Sequence, residues 1–219
     1  MRTGKIHKWK ELLMSLAVLV GLSAPVRAQE PTQLGRDPGI DVIIPPGQVV
    51  VRGSTEVQVW TSGGHSVPGG RGDTGIWNAG LRYGWVLTDA HLPSFLKGRF
   101  EYAIDAVPAY LIFQPKGTAY GIGVNPLNLK WNFVRHGRLS PYLELSGGTL
   151  FTTSKVPPGT SSVNFASGAA LGTHFLGEKR AWSLEARYLH ISNAGLGDLN
   201  PGVNTFEIRV GFGKFLDGR

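Results

Sequence analysis

Beyond residue 53 the chain runs in segments of roughly ten residues in which apolar and polar side chains alternate, with turn-forming residues between them. In TGIWNAGLRYGWVL, Trp77, Ala79, Leu81, Tyr83, Trp85 and Leu87 share one parity, and Asn78, Gly80, Arg82 and Gly84 share the other. A period of two is the mark of a strand, whose successive side chains point to opposite faces. RFEYAIDAVPAY sets Phe100, Tyr102, Ile104, Ala106 and Tyr110 against Arg99, Glu101 and Asp105. In AYGIGVNPLNLKWNF, Tyr120, Ile122 and Val124 are followed by Leu127, Leu129, Trp131 and Phe133. The phase slips at Asn125-Pro126, which predicts a β-bulge there. TEVQVWTSGG in front, and LSPYLELSGG, SVNFASGAALGTHF, AWSLEARYLHIS and NTFEIRVGFGKF behind, bring the predicted strands to eight.

The faces differ in kind. One carries aliphatic and aromatic residues, with Trp and Tyr toward the segment ends; the other carries charge, as in Ser183, Glu185 and Arg187 of the seventh segment and Thr205, Glu207 and Arg209 of the eighth. Apolar bands flanked by aromatics, with mean hydropathy close to zero, fit strands that face lipid outward and a polar interior inward. The expected fold is all-β, an eight-stranded antiparallel transmembrane β-barrel whose interior is filled by side chains. Charges enclosed in it must pair, so Glu185, Arg187, Glu207 and Arg209 are expected to form a structural network. The competing reading is a soluble secreted barrel of opposite polarity.

The first residues are set apart. Arg2, Lys5, Lys8 and Lys10 precede the apolar run LLMSLAVLVGLSA, and Val26-Arg27-Ala28 resembles a small-residue cleavage site, so residues 1–28 read as a signal peptide. The apolar run is shorter than the ~20 residues a spanning helix needs. Residues 29–53, rich in proline and glycine, read as a periplasmic N-terminal lead, and 54–219 as the barrel. The basic leader residues and Arg27 against Glu11 account for +4 of the formal +7, leaving +3 for the rest. That mild charge, without a nucleic-acid-binding motif, argues against a nucleic-acid partner. With no cysteine, the exported chain holds together without disulfides or thiolate metal sites.

Candidate chemistry is concentrated in ARYLHISNAGLGDLNPGVN, Ala186 to Asn204. Continuing the outward parity of Trp182, Leu184, Ala186 and Tyr188 places His190 and Ser192 on the lipid side, just past the apolar band. Asn204 has the parity of Phe206, Ile208 and Val210 and starts the next strand beside them. Polar groups cost too much in hydrocarbon to sit there unless they lie at the headgroup boundary. Residues i and i+2 on one strand face are near enough for His190 to take a proton from Ser192, the arrangement that activates a serine nucleophile. The spacing equally suits two polar residues where a strand leaves the membrane.

RYLHISNAG, followed by NPG and an aromatic-alternating last strand, resembles the signature of the lipid A 3-O-deacylase (PagL) family, also called acyloxyacyl hydrolase-like proteins. The motif covers about the last 35 residues, and the strand pattern extends it over the mature chain. The resemblance implies a barrel in the bacterial outer membrane that hydrolyses the ester-linked 3-hydroxyacyl chain of lipid A without a cofactor or metal. Carried over, His190 is the general base, Ser192 the nucleophile and Asn193 the oxyanion donor. Where the family's characterised members place a glutamate, twelve residues after the serine, this chain has Asn204. An amide holds a histidine tautomer but cannot stabilise imidazolium by charge. The implied partners are lipopolysaccharide and outer-membrane lipid, with homodimerisation left open. The alternative is a non-catalytic small barrel with a structural or adhesion role.

The remaining candidates read as structural. GGHSVPGG, Gly63 to Gly70, is expected to be a turn, although its His65 and Ser66 lie at the same end as His190. Arg71-Gly72-Asp73 is a chance tripeptide, and Asp198 a solvated loop carboxylate. His91 falls at a turn at the opposite end, and His174 points inward as a satisfied interior histidine. Neither has acidic neighbours at ligand spacing, so no metal site is expected.

Overall fold

The computed structural model describes residues 48–216; the expected signal peptide, most of the N-terminal lead and the last three residues lie outside the described residues. Eight antiparallel strands close into a barrel: β1 (Thr55–Ser66), β2 (Gly75–Val86), β3 (Gly98–Gln114), β4 (Gly117–Phe133), β5 (Leu139–Thr152), β6 (Val163–Leu176), β7 (Ala181–Ser192) and β8 (Val203–Leu216). β8 pairs back onto β1, Thr55 opposite Leu216, so no edge strand is left open. Thr55 and Leu216 mark the near end, and the turns after β1, β3, β5 and β7 form the far end.

The alternation resolves as expected. Val59, Leu81, Leu145, Leu171, Leu184 and Ile208 face outward, while Gln58, Arg82, Glu144, Glu185, Arg187 and Arg209 are enclosed. The slip at Asn125-Pro126 is a register break between Val124 and Leu127. A second break, between Val107 and Tyr110, was not legible. It reverses the phase of β3, so Tyr110, expected outward, is buried inside at 3% exposure. Pro108 has no N–H to donate, which makes this the place where the ladder yields.

The interior has layers. At mid-barrel Arg82 donates to both carboxylate oxygens of Asp105, at 2.7 and 2.9 Å, and to those of Glu144, at 2.6 and 2.9 Å. Arg187 reaches Glu144, Glu185 and Ser146. The network is therefore wider than the four charges on β7 and β8. Glu207 takes neutral donors instead, Ser62, Asn78 and Thr205. His174 differs from expectation too. Its ring is wedged between Tyr142 and Phe215, and neither ring nitrogen has a hydrogen-bond partner.

Toward the far end the interior turns apolar, with Trp60, Ile76, Ile112, Leu150, Leu189, Ile191 and Val203 in one cluster. At the near end Val50 packs with Val86, Leu176, Ala181 and Phe215. Because Leu145 sits mid-strand and is 60% exposed on the outside, Leu145→Arg is expected to cost roughly 2–4 kcal/mol in a bilayer. Equilibrium refolding in lipid vesicles measures it; an unchanged midpoint would contradict a lipid-facing β5.

Candidate active site

The far rim of β7 and β8 brings three predicted residues together. His190 and Asn204 are direct cross-strand partners, and Ser192 is two residues further along β7 on the same face. Their inward neighbours Leu189, Ile191 and Val203 belong to the apolar cluster and are at most 4% exposed. Side chains displayed from well-packed strands keep their mutual geometry better than side chains on a free loop. Outside, Phe165 lies opposite Ser192, and Tyr188 and Phe206 pair one step below His190 and Asn204. The result is a small polar spot at the edge of an apolar wall.

His190 Nδ1 lies 2.6 Å from Asn204 Oδ1. An amide oxygen only accepts, so His190 donates from Nδ1, and in the neutral ring Nε2 keeps a lone pair. That is the tautomer a base toward Ser192 requires. Ser192 Oγ makes no hydrogen bond among the described residues, and the residue is 9% exposed. Asp198 is exposed and pairs with nothing among the described residues, in keeping with a solvated carboxylate.

SNAG and NPG build the β7–β8 loop. Asn193 Oδ1 accepts from the Gly195 N–H at 3.0 Å, and its Nδ2 donates to the Leu199 carbonyl at 3.0 Å. Its own N–H donates to Asn200 Oδ1 at 3.1 Å. An asparagine bonding the main chain two residues on closes a tight turn, here with Ala194 and Gly195 at φ 53 and 81°. Most of Asn193 is thus spent on the loop, leaving one Nδ2 N–H as a donor.

Two loop contributions escaped the sequence reading. Gly202, at φ +66°, sits against the His190 ring: a Cβ there would approach Cε1 to 2.8 Å. The turn after β1 folds over Asn204, with the Val67 N–H donating to the Asn204 carbonyl and the Arg71 N–H to the Gly202 carbonyl, both at 2.8 Å. The doubled glycines of GGHSVPGG were the signal, but β1 and β8 become neighbours only when the barrel closes. His65 faces outward one row below Asn204, opposite Phe206, and Ser66 accepts from the Thr74 N–H, so neither bonds a site residue. His91 lies in the near-end turn, remote from the site. Among the described residues no cluster of metal-ligating side chains occurs.

Gly202→Ala is expected to push the ring off its partner and lower any activity that depends on His190 by about 10²-fold, the scale of a 1 Å misplacement. Folding, followed by heat-dependent electrophoretic mobility, is expected to persist.

Fold and site together define a small membrane barrel with His190 and Ser192 at the outward parity of β7 on its far rim, Ser192 nearly covered at 9% exposure. Residues 77–213 match the family described as Lipid A 3-O-deacylase (PagL), and the chain belongs to that family, which places it in the bacterial outer membrane. None of the curated protein sequences matches it. Among solved structures it is similar to the crystal structure of the outer membrane enzyme PagL, at 18% identity and a TM-score of 0.53, covering 70% of this chain and 97% of that one. It is also similar to the outer membrane protein OprG from Pseudomonas aeruginosa, at 12% identity and a TM-score of 0.47, over 78% of this chain and 98% of that one.

Proposed function

We propose that this chain is a serine esterase that removes the ester-linked 3-hydroxyacyl chain of lipid A at the outer leaflet. The observation that carries the reading is the 2.6 Å contact of His190 Nδ1 with Asn204 Oδ1, which in the neutral ring turns the Nε2 lone pair to the side away from Asn204, with Ser192 on the same outward face. With the barrel end that carries Thr55 and Leu216 on the periplasmic side, the far rim meets the lipopolysaccharide headgroups, where an ester at the top of an acyl chain comes level with Ser192.

In this mechanism His190 Nε2 takes the Ser192 proton as Oγ attacks the ester carbonyl carbon. The oxyanion is met by the remaining N–H of Asn193 Nδ2. As the bond to the sugar oxygen breaks, His190 returns the proton to that oxygen, leaving an acyl-enzyme on Ser192. Water then gives a proton to His190 and attacks the acyl carbon, and the proton returns to Ser192 Oγ as the 3-hydroxy fatty acid leaves. The apolar wall of Phe165, Tyr188 and Phe206 suits a substrate whose chains stay in the membrane.

The test is the mass of lipid A from outer membranes that contain or lack the folded protein. Loss of one 3-hydroxyacyl group supports the reading, and unchanged lipid A with folded protein present overturns it.

A further inference from the structure

An asparagine has two chemically opposite ends, and which end faces His190 decides whether the histidine can act as a base. Oδ1 faces Nδ1 at 2.6 Å, and at the other end Nδ2 donates to the Pro68 carbonyl at 3.5 Å. We propose that the main-chain carbonyl of Pro68, in the turn between β1 and β2, is the positioning group that fixes Asn204 as an acceptor toward His190. Asparagine is then the fitted residue at this position and not a weakened carboxylate. The inference rests on the catalytic reading above and names what makes its third member work.

Turning the amide over would set Oδ1 against the Pro68 carbonyl, acceptor against acceptor. It would also aim Nδ2 at Nδ1, which accepts only if the ring proton has moved to Nε2, and that tautomer has no lone pair for Ser192. One backbone carbonyl therefore selects the useful tautomer. It is held firmly, since hydrogen bonds from Val67 to Asn204 and from Arg71 to Gly202 clamp the turn on both sides of it. Between them Gly69, at φ +106°, lets the chain pass so close that an added Cβ would come 2.9 Å from Asn204 Nδ2. A Cβ on Gly70 would likewise meet the Gly202 carbonyl at 2.9 Å. The glycine-rich turn is the negative of the Asn204 amide.

A carboxylate at 204 would keep the contact with His190 but turn its second oxygen, with no proton, toward the Pro68 carbonyl. Its charge favours imidazolium while its location is repelled. The site trades charge for a fixed acceptor.

The experiment uses the full-length mature barrel, ¹⁵N-labelled at histidine and folded in detergent. Long-range ¹H–¹⁵N spectra, at a pH where imidazoles are neutral, read which ring nitrogen carries the proton, and His190→Gln identifies the His190 signals. The native chain is expected to show the Nδ1–H tautomer, and Gly69→Ala, which pushes the turn from the amide, to shift His190 toward Nε2–H. Asn204→Asp, nearly the same shape, is expected to deacylate lipid A at least about tenfold more slowly than the native chain. An Nε2–H tautomer in the native chain, an unchanged tautomer in folded Gly69→Ala, or deacylation by Asn204→Asp at the native rate or faster would each overturn the proposal. Should the native chain show Nδ1–H, Gly69→Ala shift it and lipid A stay untouched, the activity reading fails while the assignment of Pro68 stands.

Discussion

Replacing Ser192 by alanine is expected to reduce deacylation by roughly 10⁴-fold or more while leaving the barrel as stable as before. The two halves of that expectation have separate physical grounds. Loss of Oγ removes the atom that forms the acyl-enzyme, and neither Asn193 nor the lipid surface can supply another. Stability is unaffected because Ser192 Oγ makes no hydrogen bond among the described residues and Ile191 and Leu189 still anchor the strand from inside. His190→Gln is expected to be about as damaging, and the double variant no worse than either single one, because residues acting as a unit do not contribute additively. Kinetics of 3-hydroxy fatty acid release from lipid A in mixed micelles check this. Losses that multiply in the double variant would sink the serine–histidine mechanism.

The largest expected effect on stability belongs to the barrel interior. Glu144 accepts from Arg82 and Arg187 with a side chain that is 0% exposed, so its removal takes a buried counter-charge from both. Glu144→Leu leaves two guanidinium groups sharing the carboxylates of Asp105 and Glu185 in a closed lumen. Breaking a buried ion pair on one side costs about 3–5 kcal/mol. The expected result is a lowered urea midpoint for refolding in vesicles. Removing Arg82 as well, in Glu144→Leu/Arg82→Leu, restores the charge balance, so the double variant is expected to lose less than the sum of the singles. Additive losses would mean that Arg82 and Glu144 do not act as a pair.

Alternation alone determined much of this protein. The period of two in Trp77 to Leu87 and in Trp182 to Tyr188 requires strands with one apolar and one charged face, and the slip at Asn125-Pro126 shows in the pattern itself. The same parity set His190, Ser192 and Asn204 on the outward face, since side-chain direction along a strand is a local property. The break near Pro108 was hidden because Val107 and Tyr110 read plausibly on either face, and only the pairing of β3 with β2 and β4 decides. Likewise, Arg82, Asp105, Glu144 and Arg187 come from four strands, and their pairing depends on distances across the lumen that no single strand contains.

The site divides along the same line. The sequence supplied the histidine, the serine and an asparagine where the family resemblance leads one to expect a carboxylate. Tertiary structure alone decided what that asparagine is. Pro68 and Asn204 are 136 residues apart, and closure of β1 onto β8 brings a carbonyl to one end of the amide while the β7–β8 pairing brings a ring nitrogen to the other. Donor and acceptor roles depend on what each end of the amide meets, and those neighbours exist only once the barrel is closed.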